Sequence, residues 1–413
     1  MGKRKEVPSN SQPESSQYLW GMEHEDLSLG PALRFGLLGG GQLGRMTIQA
    51  AQNLDLRVEV MDPDAGAPCA RTAYRFTLGD LNNAQDVIAF GRGLDVLTVE
   101  LENVSIEGLT ALKAMGVRVL PDPEHLALIC DKGVQKQFYA DHGIPTSDFH
   151  LIEGRAETMT RALPSVQKLR VGGYDGRGVQ VFRSEDDSRY GFDAPSVLED
   201  AVDIEMELSV IVARSTSGEV ATYPVVEAVF NDLNLVDYTV APARISEEIS
   251  ARAQAIALDV VEKMNFVGLL AVELFLDREG VLLVNEVAPR SHNSGHHTIE
   301  ANCTSQFEQH LRAVLGMPLG STATRCAAAM LNLIGAEADG DQPGAEGVPV
   351  YKGLSSALAM EGVHPHIYGK ALVRPGRKMG HVTALAPSGN PMCATSAVER
   401  IIELKSTLSV QGS

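Results

Sequence analysis

The chain reads as a three-part α/β and α+β protein, with a parallel-sheet unit first, a mixed α+β unit in the middle and a small β-rich unit last. Three observations predict this. Strand-like and helix-like segments alternate between Arg34 and Pro123, the pattern of a parallel sheet with right-handed crossovers. From Val166 onward, β-rich stretches separated by glycine turns surround one long amphipathic helix. After about residue 319, short strand-like runs lie among many Gly and Pro residues. A length of 413 residues suits two or three such units.

Residues 1–33 are rich in Ser, Pro, Glu and Gln without sustained periodicity, and read as a disordered extension. The run Arg34-Phe-Gly-Leu-Leu38 predicts a buried strand that enters glycines. A helix over Gln42–Asn53 follows, then strands at Arg57–Met61, Asp95–Thr98 and Val117–Leu120. This unit spans 34–123 and ends at Pro121-Asp-Pro123. The middle unit, 124–318, opens with a helix over Asp131–His142 that Gly143-Ile-Pro145 stops. Strands are expected at Lys168–Val171, Gly178–Phe182, Leu208–Ala213 and Thr222–Val226, and two more near 270 and 285. The long helix covers Ser246–Met264. The β-rich unit takes 319–413, and no internal repeat is visible.

Composition narrows the function classes. The formal net charge of -18 disfavours non-specific nucleic-acid binding, but a small anion needs only a few local cations. No apolar run is long enough to span a bilayer, and the first residues lack a signal-peptide core. Five scattered cysteines, an odd count without zinc-ligand spacing, fit a reducing, cytoplasmic setting.

Three segments carry chemistry. Gly39-Gly40-Gly41-Gln42-Leu43-Gly44 follows a strand and opens a helix, where backbone N–H groups and the helix dipole attract an anion. Asp62 ends the next strand, where a ribose-binding acid sits in a dinucleotide enzyme. A tight structural turn, a nicotinamide site and a phosphate-ester site all remain open on this motif alone.

The second segment is a hairpin. Val267–Leu276 and Val281–Val287 read as its strands, with Asp277-Arg-Glu-Gly280 as the turn. Pairing Leu276 with Val281 puts Glu273 opposite Val284, so Glu286 is a diagonal neighbour on the same face, with Asn285 beside it. Two carboxylates on apolar strands need cations, and Mg²⁺ is the natural partner, with Mn²⁺ as an alternative. The third segment, Ala288-Pro-Arg290-Ser-His292-Asn293-Ser-Gly-His296-His297-Thr298, follows directly and concentrates cations and hydrogen-bond donors. Arg290 suits a small oxyanion, and the loop suits charge on an activated acyl phosphate. The spacing of His292, His296 and His297 does not suit zinc.

With these segments in place the chain resembles the N5-carboxyaminoimidazole ribonucleotide synthetases, a carboxylating branch of the ATP-grasp ligases. The resemblance covers nearly all of 34–385. Its markers are Gly39-Gly-Gly-Gln-Leu-Gly-Arg-Met46, Glu102-Asn-Val104, Gly172-Gly-Tyr-Asp-Gly-Arg-Gly178, Asn285-Glu-Val-Ala-Pro-Arg290, His292-Asn-Ser-Gly-His296, Ser305-Gln-Phe-Glu308 and Arg374-Pro-Gly-Arg-Lys-Met-Gly-His381. It implies an ATP-grasp fold with a pre-ATP-grasp, Rossmann-like N-terminal domain. It also implies that ATP phosphorylates bicarbonate to carboxyphosphate, whose carboxyl group passes to the amine of 5-aminoimidazole ribonucleotide in purine biosynthesis.

The resemblance also distributes roles. Lys132 and Lys168 correspond to cations on the ATP phosphates. Glu199-Asp200-Ala201-Val202 corresponds to the hinge whose backbone reads adenine, and Glu207 to an acid on the ribose. Asn285 belongs with the nucleotide site, and Glu273 and Glu286 with Mg²⁺. Arg290, His292 and Asn293 correspond to the bicarbonate or carboxyphosphate pocket. Gly41 and Gln42 would face the ribonucleotide 5′-phosphate, and Glu102 would accept hydrogen bonds from that nucleotide. Tyr174, Asp175 and Arg177 would contribute from a glycine-rich loop suited to a lid, and Lys370 and Arg377 from the C-terminal part. A homodimer and a separate mutase for the product are further implications.

Leu101, Ser291 and His297 depart from the usual pattern, which has an aromatic, a proline and a tryptophan there; the charged residues are kept. The rival readings are a formyl-transferring ATP-grasp ligase, a nicotinamide oxidoreductase and an inactive nucleotide-binding protein. The two loops favour bicarbonate. The paired strand glutamates argue against the second rival, and intact Lys168, Glu273, Glu286 and Arg290 against the third.

Overall fold

The computed structural model describes residues 33–173, 178–231, 236–337 and 344–413. Apart from Leu33, the expected N-terminal extension lies outside the described residues, and so do Tyr174, Asp175 and Arg177.

The first sheet is parallel. Its elements are β1 (Phe35–Leu38), α1 (Gln42–Gln52), β2 (Val58–Asp62), β3 (Arg75–Leu78), α2 (Ala84–Gly91), β4 (Val96–Val99), α3 (Ile106–Ala114) and β5 (Arg118–Val119). The strand order is β3-β2-β1-β4-β5. β1 is therefore flanked by β2 on one side and β4 on the other. The carboxyl ends of β1 and β4 meet where the winding reverses, the usual place for a ligand crevice in such sheets. The glycine loop leaves β1 there, and Glu100 and Glu102 follow β4. The segment Arg75–Leu78, not read as a strand, supplies one edge.

Next come α4 (Pro123–Cys130) and α5 (Lys132–Asp141). The Asp131 carboxylate accepts the Gly133 and Val134 N–H groups, at 2.8 and 3.2 Å, and so caps α5. An antiparallel sheet then forms from β6 (Phe149–Ile152), β7 (Ser165–Leu169), β8 (Val179–Phe182) and β9 (Ser196–Asp200), in the order β6-β9-β7-β8. The strand expected at Lys168–Val171 begins three residues earlier, pinned by its register to both β8 and β9.

The large sheet contains β10 (Ile204–Arg214), β11 (Val220–Thr222), β12 (Val226–Phe230) and β13 (Val236–Ala241). After α6 (Glu247–Met264) come β14 (Gly268–Asp277) and β15 (Leu282–Ala288). The expected strand Thr222–Val226 is instead the break between β11 and β12. Pro224 lies in that break and has no N–H for a ladder. In α6 the buried residues Ala253, Ala257, Val260, Val261 and Met264 follow helical spacing and face the core below β10 and β14. Ser246 caps the start, and Asn265 ends the helix in the left-handed region.

The remainder comprises α7 (Thr298–Ala301), α8 (Gln306–Leu315), β16 (Ala328–Ile334), β17 (Pro349–Lys352), α9 (Leu354–Leu358), β18 (Val363–Ile367), β19 (Lys378–Leu385), α10 (Ala394–Thr407) and β20 (Ser409–Gly412). The strands of the last unit fall in two sheets, and β17 pairs with β20. β16, β19 and β18 extend the large sheet, whose order is β15-β14-β10-β12-β13-β16-β19-β18. α10, absent from the sequence reading, packs on β16 with Ala397, Val398, Ile401 and Leu404 buried. α8 joins the first and large sheets, its Leu311, Val314 and Leu315 sharing a core with Phe35 and Val96.

Two substitutions test this core. Leu270→Ala on β14 removes a fully buried side chain and is expected to cost about 2–5 kcal/mol. Ser246→Ala is expected to cost about 1 kcal/mol through loss of the α6 cap. Denaturant unfolding of the two variants measures both.

Candidate active site

The hairpin β14–β15 departs from regular alternation. Leu276 pairs with Leu282, Phe275 with Leu283 and Leu274 with Val284, and then the register shifts. Glu273 pairs directly with Glu286. The diagonal arrangement expected from the sequence is thus replaced by a direct cross-strand pair. Two one-residue shifts produce the change: the turn pairs Leu276 with Leu282 instead of the expected Val281, and an extra residue on β15 at Asn285, in the manner of a β-bulge, adds the second. Consequently the consecutive residues Asn285 and Glu286 both line the same cleft as Glu273.

That cleft, of about 220 Å³, is also lined by Lys132, Lys168, Glu207, His292 and Asn293. Lys132, at the start of α5, pairs with Glu286. Lys168 on β7 donates to Asn285 Oδ1 at 2.7 Å and to Glu199 Oε2 at 3.1 Å. His292 Nε2 lies 3.1 Å from Glu273 Oε1. Burial alone pushes the Glu273 carboxyl up, but the His292 hydrogen bond and the charges of His292, Lys132 and Arg290 hold it below the ordinary range. Burial, followed by the charge of Glu273, pushes the Glu207 carboxyl up to about 7.

A second hollow, of about 450 Å³, lies against Asp200, Ala201 and Val202. Leu283 lines it, and the cross-strand partner of Leu283, Phe275, lines the first cleft. The two hollows therefore adjoin along one face of β14 and β15. Glu199 does not line either; its carboxylate is buried between Lys136 and Lys168.

The loop after β15 is held from both sides. Gln306 accepts the His292 N–H at 2.8 Å and donates to the His292 carbonyl at 2.7 Å. Asn293 and Asn332 of β16 exchange amide hydrogen bonds at 2.9 and 3.1 Å. His292 Nδ1 lies 2.9 Å from Ser294 Oγ, His297 Nδ1 bonds the Ser294 carbonyl, and His296 packs near His381. His292 and His297 thus meet at Ser294, through its hydroxyl and its carbonyl, while His296 turns to His381. Gln306 and Asn332 escaped the residue-by-residue reading, although Gln306 lies within the quoted Ser305–Glu308 marker.

Arg290 reaches back to the first unit. Its Nε and Nη2 donate to the two Glu102 oxygens at 2.5 and 3.1 Å. The residue expected at the nucleotide acceptor and the one expected at the oxyanion are therefore bonded to each other. Burial pushes the Glu102 carboxyl up, but the Arg290 charge and hydrogen bonds override it and hold the group below the ordinary range.

The glycine loop is arranged differently from the expectation of open N–H groups. The buried Glu100 carboxylate accepts from Leu43 N–H at 3.1 Å and Gly44 N–H at 3.5 Å. Asp62, weighed as a ribose acid, accepts the Gly40 N–H at 2.7 Å and so organises the loop. A side chain at Gly41 would run into Glu100. Gly41 and Gln42 stand at this turn, outside the main cleft. Arg45, one turn later on α1, donates to the Tyr368 carbonyl at 3.0 Å. That contact brings the segment bearing Lys370 against the glycine-loop helix. Lys370 donates to the Lys378 carbonyl at 2.7 Å and Arg377 to the Leu372 carbonyl at 2.8 Å. Neither lines the main cleft, whereas Lys378, unassigned from the sequence, does.

The Arg290–Glu102 pair yields a titration test. Arg290→Ala removes the guanidinium, so the Glu102 pKa should rise above its wild-type value. In the wild type, the stabilising charge is present above the ordinary glutamate pKa and fades as pH falls through the lowered one. Side-chain carboxyl NMR of both proteins measures this; an unshifted Glu102 in the variant contradicts it.

Comparison with known proteins matches this architecture. Residues 33–130 match the ribonucleotide synthetase preATP-grasp domain, 137–307 the ATP-grasp domain and 328–393 the phosphoribosylaminoimidazole carboxylase C-terminal domain. The N5-carboxyaminoimidazole ribonucleotide synthase of Synechococcus elongatus is 38% identical over 394 residues, covering 93% of this chain and 95% of its own. That of Mycobacterium bovis is 40% identical over 370 residues, covering 86% and 84%. The crystal structure of the Thermotoga maritima synthetase superposes with a TM-score of 0.83 at 38% identity, covering 93% of this chain and all of that one. The Aspergillus clavatus synthase, solved with ADP and 5-aminoimidazole ribonucleotide, gives 0.80 at 32% identity, covering 90% and 98%. The chain is an ATP-dependent ligase by this kinship, and it belongs to the N5-carboxyaminoimidazole ribonucleotide synthase family.

Proposed function

We propose that this chain uses ATP to activate bicarbonate and passes the carboxyl group to the amine of 5-aminoimidazole ribonucleotide. One observation carries the reading. A pair of opposed carboxylates shares a cleft with two lysines and with the loop whose Arg290 reaches Glu102.

In this reading Lys132 and Lys168 hold the ATP phosphates, the backbone of 199–202 reads adenine and Glu207 takes the ribose. Glu273 and Glu286 offer Mg²⁺ hard oxygen donors, with Asn285 beside them. Mn²⁺ takes the same donor class. Among the described residues no group of three or more His, Cys, Asp or Glu is arranged to hold a metal. The two carboxylates would leave the ion's remaining positions to water and substrate phosphates. When bound, Mg²⁺ would neutralise charge on the phosphates during phosphoryl transfer.

A bicarbonate oxygen attacks the γ-phosphorus and the bond to ADP breaks, giving carboxyphosphate. Arg290, His292 and Asn293 orient that anion. The acceptor amine then bonds the carboxyl carbon, directly or after release of CO₂. The carbon–oxygen bond to phosphate breaks and the amine gives up one proton. Glu102 orients the acceptor, with Gly41, Gln42, Lys370 and Arg377 assigned to its 5′-phosphate; Tyr174, Asp175 and Arg177 are assigned to the same nucleotide by the resemblance alone. No covalent protein intermediate is required, and catalysis rests on positioning and electrostatics. We further propose a cytoplasmic homodimer, with a separate mutase acting on the product; sedimentation tests the dimer.

ADP release should require bicarbonate and rise with the ribonucleotide. Release that follows formate instead would favour the formyl-transferring rival. Glu286→Gln should lower turnover to roughly 1% or less without changing the melting temperature; near-normal turnover would remove Glu286 from the site. Arg290→Ala should slow carboxylation roughly a hundredfold while changing the ATP KM less than about threefold. A collapse of ATP affinity would move the bicarbonate pocket elsewhere.

A further inference from the structure

Lys136 is a buried cation that the cleft chemistry leaves unused. It is 2% exposed and lies on α5 one turn after Lys132. Its Nζ donates to Thr146 Oγ1 at 2.6 Å and Ser147 Oγ at 3.1 Å, and lies 3.3 Å from Glu199 Oε1. Glu199 is 3% exposed. Its other oxygen accepts from Ser147 Oγ at 2.8 Å and from Lys168 Nζ at 3.1 Å. Thr146 Oγ1 donates in turn to the Val284 carbonyl of β15 at 2.7 Å. A buried carboxylate thus sits between two ammonium groups, one behind the cleft wall and one inside the cleft.

Burying an ammonium is costly, and an apolar side chain of similar volume would often serve packing as well or better. Burial lowers the Lys136 pKa to about 8, while Glu199 opposes the fall. Without Lys136, Lys168 would be the one ammonium within ion-pair distance of Glu199 among the described residues, and Glu199 would draw it inward, away from Asn285. The strand β9 that carries Glu199 also carries Asp200 and leads into Ala201 and Val202.

We infer that Lys136 is a positioning residue for the nucleotide: it holds the Glu199 carboxylate so that Lys168 stays presented to the cleft. The inference rests on the ATP reading proposed above.

Steady-state kinetics of the intact enzyme tests it with Lys136→Met, Glu199→Gln and the double variant. Lys136→Met should raise the ATP KM about tenfold and leave the ribonucleotide KM within about twofold. The double variant should be no worse than Glu199→Gln alone, because Lys136 acts through Glu199. Equal rises in both KM values, or full additivity in the double variant, would overturn the inference. Should Lys136→Met fail to fold, Ser147→Ala makes the same test. It removes a neutral hydroxyl between the two charges, and a smaller selective rise in the ATP KM is expected. An unchanged ATP KM in that variant would overturn the inference. A wild-type enzyme that ATP does not saturate would overturn the nucleotide reading and this inference with it.

Discussion

Two carboxylates facing each other across adjacent strands set the terms for the middle of this protein. Glu273 and Glu286 are cross-strand partners in a partly enclosed cleft, where like charges repel. The sequence answers with partners from separate segments: the Lys132 ammonium from α5 and the His292 ring from the loop after β15 bond to them, and Lys168 from β7 stands beside them on Asn285. The carboxylates therefore tie the small antiparallel sheet, the α5 helix and the large sheet to one point. The same arrangement of paired acids and surrounding cations is what an ATP-using ligase requires.

A second ion pair couples this point to the first unit. Arg290 spans to Glu102 at the carboxyl end of β4, beside the switch point of the parallel sheet. Glu100 occupies the N–H groups of α1 in the same crevice. The crevice is thus pre-set by buried carboxylates, and the glycines serve close packing against Glu100 as well as any ligand. The large sheet completes the enclosure, since β16 supplies Asn332 to steady Asn293.

Much of this was legible in the sequence, because local signals carried it. The parallel sheet followed from alternation, α6 from its apolar stripe and the cleft from two acids on apolar strands. The parts that were not legible depend on long-range or irregular geometry. The turn pairs Leu276 one residue beyond its expected partner and the extra residue at Asn285 adds a second shift, so the diagonal pair becomes a direct one; no local periodicity specifies that bulge. The joining of β16 to β13 pairs strands with α6, β14 and β15 between them in sequence, and local periodicity says nothing of such pairing. Lys136 did leave a signal, one turn from Lys132 on the same helix, yet its partner Glu199 is more than sixty residues away. Tyr174, Asp175 and Arg177 remain proposals resting on the resemblance.

The central claim is that ATP is spent on bicarbonate rather than on water or on the ribonucleotide. The direct measurement supplies bicarbonate labelled with heavy oxygen and follows the label into inorganic phosphate, by mass, during carboxylation. If a bicarbonate oxygen attacks the γ-phosphorus and the carbon–oxygen bond later breaks, each phosphate released carries one oxygen from bicarbonate. Phosphate without the label, formed as fast as the carboxylated nucleotide, would contradict the account.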